Sequence, residues 1–85
     1  MTYRVFMTPE ARRNMLALPK EVVRRIDACI QALAENPRPA RTVKLKGGGE
    51  YWRVRIGDYR IIYQIQDDRL LVIVIRIGHR RQVYR

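Results

Sequence analysis

The stretch Tyr51–Ile77, YWRVRIGDYRIIYQIQDDRLLVIVIRI, decides how this chain folds. Its side chains run with a period near two, interrupted at Gly57-Asp58 and Asp67-Asp68. That pattern predicts three strands, Tyr51 to Ile56, Tyr59 to Gln66 and Leu70 to Ile77. A two-residue connection at Gly57-Asp58 pairs Ile56 with Tyr59, and this register sorts the side chains by face. Trp52, Val54, Ile56, Tyr59, Ile61 and Tyr63 fall on one face, the one that helices should cover. Tyr51, Arg53, Arg55 and Arg60 fall on the other, with Arg55 directly across from Arg60. Like charges opposed across a ladder cost up to about 1 kcal/mol, so the arrangement points to a use beyond folding. A solvated face that is merely basic is the alternative reading.

Working outward, Tyr3 to Met7 alternates and stops at Thr8-Pro9, a short strand followed by an N-cap threonine and a first-turn proline. Ala11, Met15 and Leu18 then form one helical stripe, with Arg12 and Arg13 outside it, until Pro19 ends the run. A second helix follows at once. Val22, Val23, Ile26, Cys29, Ile30 and Leu33 make its buried face, Arg24, Arg25, Asp27, Gln31 and Glu35 its wet one, and Asn36-Pro37-Arg38-Pro39 stops it. Ala40 to Glu50, ending in three glycines, reads as a loop carrying Lys44 and Lys46. The expected architecture is a single α+β domain over residues 1–85: an N-terminal strand, a two-helix hairpin, then a three-stranded antiparallel meander. Together these give one four-stranded sheet with the helices on one face.

Composition narrows the function classes. The chain has 85 residues, 18 Lys+Arg against 8 Asp+Glu, and a net charge of +10. Residues 1–37 carry six basic and four acidic side chains, whereas residues 38–85 carry twelve and four, so the positive charge sits in the sheet-forming half. Fifteen of the basic residues are Arg, whose planar fork grips phosphate or carboxylate bidentately. An anionic polymer or an acidic protein is the expected partner. The longest apolar run, Leu70 to Ile75, is too short to span a bilayer, and the first residues lack a signal-peptide core, so a cytoplasmic location without membrane association is expected. One Cys and one His leave no intrachain disulfide and no usual zinc site. Cys29, on the apolar stripe, reads as a small core residue.

Four strings, Lys44-Leu45-Lys46-Gly47, Tyr51-Trp52-Arg53-Val54-Arg55, Gly57-Asp58-Tyr59-Arg60-Ile61-Ile62-Tyr63 and Gly78-His79-Arg80-Arg81-Gln82-Val83-Tyr84-Arg85, resemble in order and spacing the RelE-type toxins of the RelE/ParE superfamily. The similarity runs along essentially the whole chain. It implies a toxin of a type II toxin–antitoxin system with two helices on a mostly antiparallel four-stranded sheet. It implies a cognate acidic antitoxin, ribosome and mRNA as partners, and operator DNA bound by the toxin–antitoxin pair. It further implies cleavage of mRNA in the ribosomal A site, through attack of a ribose 2′-OH on the adjacent phosphate. ParE-type members share the fold but poison DNA gyrase, and a non-enzymatic basic binding module is the third possibility.

Such cleavage requires a base for the 2′-OH, cations around a pentavalent phosphate and an acid for the departing 5′-oxygen, with no cofactor. By the resemblance, Arg53, Arg55, Arg60 and Arg80 supply the cations and Tyr84 stands at the reacting sugar. Lysine often occupies the equivalents of positions 53 and 55. Arginine effectively cannot lose its proton, so the base role must lie elsewhere. His79 is the first candidate, since imidazole titrates near pH 6.5, and Tyr84 the second. Lys44, Lys46 and Arg81 are expected to contact RNA phosphates. The tail after Ile77 is expected to leave the basic face poorly covered, so that an antitoxin would act by direct wrapping.

Overall fold

A computed structural model of the chain describes residues 2–47 and 49–79. The elements in order are β1 (Arg4–Met7), α1 (Pro9–Leu16), α2 (Lys20–Glu35), β2 (Thr42–Lys44), β3 (Tyr51–Ile56), β4 (Tyr59–Gln66), a 3-10 turn (Asp67–Arg69) and β5 (Leu71–His79). The strands form one sheet in the order β1-β5-β4-β3-β2. The expected antiparallel meander is present, with Ile56 opposite Tyr59 and Arg55 opposite Arg60. β1 runs parallel to β5, which makes the sheet mixed.

The sheet has five strands, not the four expected. Thr42–Lys44, read from sequence as loop, pairs antiparallel with β3, Val43 lying opposite Arg53 and Lys44 opposite Trp52. Three residues are too few to display an alternation, and the neighbouring glycines mask them. Pairing to the otherwise open edge of β3 makes them a strand.

One core lies between the helices and the inner face of the sheet. Ala11 from α1, Ile26, Ile30 and Leu33 from α2, and Val54, Ile61, Tyr63, Ile65, Val72, Val74 and Ile77 from the sheet are buried. Cys29 packs at its margin, as its place on the stripe predicts. Each of the buried Ile, Leu and Val side chains contributes roughly 1.5–3 kcal/mol on burial, so the core carries most of the stability of this small domain. Tyr63, fully buried, donates its hydroxyl to the Pro37 carbonyl at 2.7 Å and so anchors the exit of α2 to the sheet.

α1 closes the sheet where β1 runs out. β1 pairs with β5 only as far as Val74, which would leave the rest of that edge open to another strand. Thr8 fills the gap. Its amide donates to the Val74 carbonyl at 2.9 Å and its hydroxyl to the Ile75 carbonyl at 2.8 Å. The same hydroxyl accepts from the Ala11 amide at 3.1 Å and thereby caps α1. Two turns on, Asn14 Oδ1 accepts the Ile77 amide at 3.0 Å. The β4/β5 register also slips here: Ile62 faces Arg76 and Tyr63 faces Val74, so Ile75 has no opposite residue. This bulge turns Arg76 away from the core and Ile77 into it.

Candidate functional site

Strand parity and register place Arg53 and Arg55 of β3, and Arg60 of β4, on the sheet face away from the helices. Val43 joins them from β2 and Arg76 from β5. None of the strand positions on this face carries an acidic side chain among the described residues. Opposed residues in an antiparallel pair stand about 4.5–5.5 Å apart, so Arg55 and Arg60 project their charges side by side. Gly78 faces Arg60 from β5. Arg53 and Arg60 are half-buried, their Nε atoms covered, whereas Arg55 is exposed. Arg76 is held by Glu10 of α1 through a 3.0 Å contact from its Nε.

A groove of about 510 Å³ opens on this face, lined by Arg41, Val43, Arg53, Arg55 and Gly57. Gly57 belongs there because its φ of +58° suits the first central residue of a two-residue hairpin; a Cβ would meet only the Arg25 guanidinium, the movable end of an exposed side chain. Arg41 is the site residue that sequence reasoning missed. It lies in the segment read as loop, and only the pairing of β2 with β3 brings it beside Arg53 and Arg55. Thr42-Val43, two β-branched residues in a row, was the one local signal of a strand there.

His79 stands apart from the arginines. It pairs with Tyr59, a helix-side position, and its ring meets the Tyr59 ring edge-on at 5.8 Å between centroids. Lys44 is likewise on the helix-side face, opposite Trp52, with its ammonium 3.4 Å from Glu50 and over the Trp52 ring. Lys46 is exposed in the loop that follows β2. Arg80, Arg81 and Tyr84 lie outside the described residues.

A second charged group braces the domain behind the groove. Arg38 holds Asp67 through both nitrogens, at 3.1 and 2.7 Å, and the Tyr3 hydroxyl donates to the same carboxylate at 2.6 Å. The Arg38 guanidinium also lies 5.0 Å from the centre of the Trp52 ring. The guanidinium and the phenol together hold the Asp67 carboxyl down to about 2. Asp67 in turn keeps the Tyr3 phenol protonated to higher pH than usual. These contacts tie the N-terminus, the exit of α2 and the β4–β5 turn together, and they leave Trp52 a packing residue.

Residues 5–84 match the family model described as the ParE toxin of the type II toxin-antitoxin system parDE. Toxin RelG of Mycobacterium tuberculosis is 30% identical over 87 residues, covering 100% of this chain and 99% of the relative. The archaeal RelE–RelB complex of Pyrococcus horikoshii contains a chain that is 30% identical, with a TM-score of 0.85 over 98% of this chain and 100% of its own. The RelBE2 toxin-antitoxin complex of Mycobacterium tuberculosis gives a TM-score of 0.83 at 26% identity, over 93% and 99% of the two chains. The family model carries the ParE name while these relatives carry RelE names, and the two names mark branches of one superfamily. On fold, sequence and coverage together, the chain belongs to the RelE/ParE superfamily of type II toxin–antitoxin toxins.

Proposed function

We propose that this toxin inhibits translation by cutting mRNA in the ribosomal A site, and the observation that carries the reading is the arginine face around the groove. Arg53, Arg55 and Arg60 come from adjacent strands and share one face of the sheet. In the reaction, a base takes the proton of a ribose 2′-OH and the 2′-oxygen attacks the neighbouring phosphorus. The P–O5′ bond then breaks, leaving a 2′,3′-cyclic phosphate and a 5′-oxygen that takes up a proton to become the 5′-hydroxyl. Charge accumulates on the phosphoryl oxygens as the bond forms. Preorganised guanidinium donors at that point each lower the barrier by about 2–4 kcal/mol. A fixed sheet supplies such preorganisation better than a loop does.

The arginines cannot serve as the base. The His79 ring set edge-on to Tyr59, behind the face, supports a positioning role for that residue, in which it steadies the end of β5. Tyr84 is then assigned the proton transfer, with Arg80 adding a further cation and Lys46 and Arg81 contacting RNA phosphates. Lys44, engaged with Glu50, is a weaker contributor.

Several of the solved relatives are toxin–antitoxin complexes, and a cognate acidic antitoxin is proposed for this toxin too. An acidic segment laid along the arginine face would neutralise it and raise thermal stability, because it binds only the folded toxin. Binding of operator DNA is assigned to that pair.

A translating extract programmed with a defined mRNA tests the reading. Cuts at codon-defined positions on ribosome-bound message are expected. Intact RNA accompanied by trapped gyrase–DNA complexes would replace it with the ParE-type activity, and intact RNA with neither would leave a binding module.

A further inference from the structure

We propose that Arg41 is a second phosphate-binding residue, gripping the RNA backbone one step away from the cut; this rests on the mRNA-cleaving reading above. The groove is lined by Arg41 and Val43 on the β2 side and by Arg53 and Arg55 on β3, with Val43, 45% exposed, directly opposite Arg53. Its volume of about 510 Å³ falls in the range of sites that enclose a small-molecule-sized group. Arg60 of β4 stands opposite Arg55 of β3, and Arg41 immediately precedes Thr42, which faces Val54, so this cross-strand row of arginines runs toward the β2 edge where Arg41 stands. A backbone following that row carries its next phosphate to Arg41. Apolar Val43 offers the sugar or base a surface between the charges.

The backbone of Arg41 is the second, independent observation. Its φ is +72°, in the left-handed region that non-glycine residues seldom adopt. Glycine or asparagine would hold this turn with less strain. An arginine kept in that conformation, with its side chain on the groove, is explained by what the guanidinium binds.

The test uses programmed ribosomes and synthetic mRNAs that each carry one uncharged methylphosphonate linkage at a position flanking the cut. For the parent toxin, neutralising one particular flanking phosphate should lower kcat/KM about 10-fold, chiefly through KM. Arg41→Ala should lose about as much on the fully charged mRNA and lose nothing further from that same neutral linkage. Arg41→Lys should recover part of the loss. Arg41→Gly should share the loss in cleavage while being at least as resistant to thermal unfolding as the parent. Independent losses at every linkage would overturn the proposal, as would an unfolded Arg41→Gly variant or an effect confined to antitoxin association. If the parent itself leaves the mRNA uncut, the mRNA-cleaving reading falls and takes this proposal with it. If the parent cuts but no linkage couples to Arg41, this proposal alone falls.

Discussion

Replacing Arg55 by Glu should stabilise the fold and abolish toxicity at once. Arg55 stands directly opposite Arg60, so the change turns a repulsive cross-strand pair into an attractive one. Each of those two contributions is worth about 0.2–1 kcal/mol. Arg55 is exposed, and solvent screening puts the sum at the lower end, about 0.5–1 kcal/mol. For a domain of this size that corresponds to a rise in Tm of roughly 3–6 °C. The gain should be visible by thermal unfolding in about 0.01 M salt and should largely vanish in about 1 M salt, where the screening length falls to roughly 3 Å. Reversing a charge beside the reacting phosphate should meanwhile cost on the order of 10³ in cleavage rate. A control, Arg55→Gln, removes the repulsion without adding attraction and should show about half the stabilisation. A more stable Arg55→Glu toxin that still arrests growth would show that the arginine face is only a solvated surface. A destabilised one would show that something other than repulsion governs the Arg55–Arg60 pair.

Thr8→Val removes a hydroxyl that caps α1 and satisfies the Ile75 carbonyl, and should cost about 2 kcal/mol, or about 10 °C in Tm. Thr8→Ser should be near neutral, and equal losses from the two variants would refute the double role. Asp67 is held at about 2, below its ordinary value of 3.8, so the stabilisation from the Arg38–Asp67–Tyr3 contacts is present above about pH 4 and is lost as pH falls toward 2. Asp67→Asn should therefore lower Tm at pH 6 and narrow the gap to the parent at pH 2.5; an unchanged gap would argue against the network. Tyr84→Phe should reduce single-turnover cleavage more than His79→Ala does, and His79→Ala should keep the parent's pH profile. The reverse order, with a flattened rise between about pH 5.5 and 7.5, would return the base role to His79.

The sequence by itself determined the elements whose signals are local. Alternation across Gly57-Asp58 settles the β3–β4 register residue by residue, because a two-residue turn admits one pairing and each strand has one apolar face. The two helices, the Thr8 cap and the arginine face follow from periods and capping chemistry carried within a few residues. The tertiary structure alone decided three things. β2 is a strand because β3 offers it an edge, and nothing within Thr42–Lys44 demands one. Arg41 meets Arg53 and Arg55 only once that edge is taken. The bulge at Ile75 decides which way His79 faces: a regular strand beyond Val74 would send Arg76 inward and His79 out among the arginines, and one extra residue reverses both. The bulge coincides with the end of β1, where Thr8 binds the carbonyls of Val74 and Ile75 from 66 and 67 residues away in sequence. A contact over that separation leaves no periodic trace in either segment, so only the folded chain can show it.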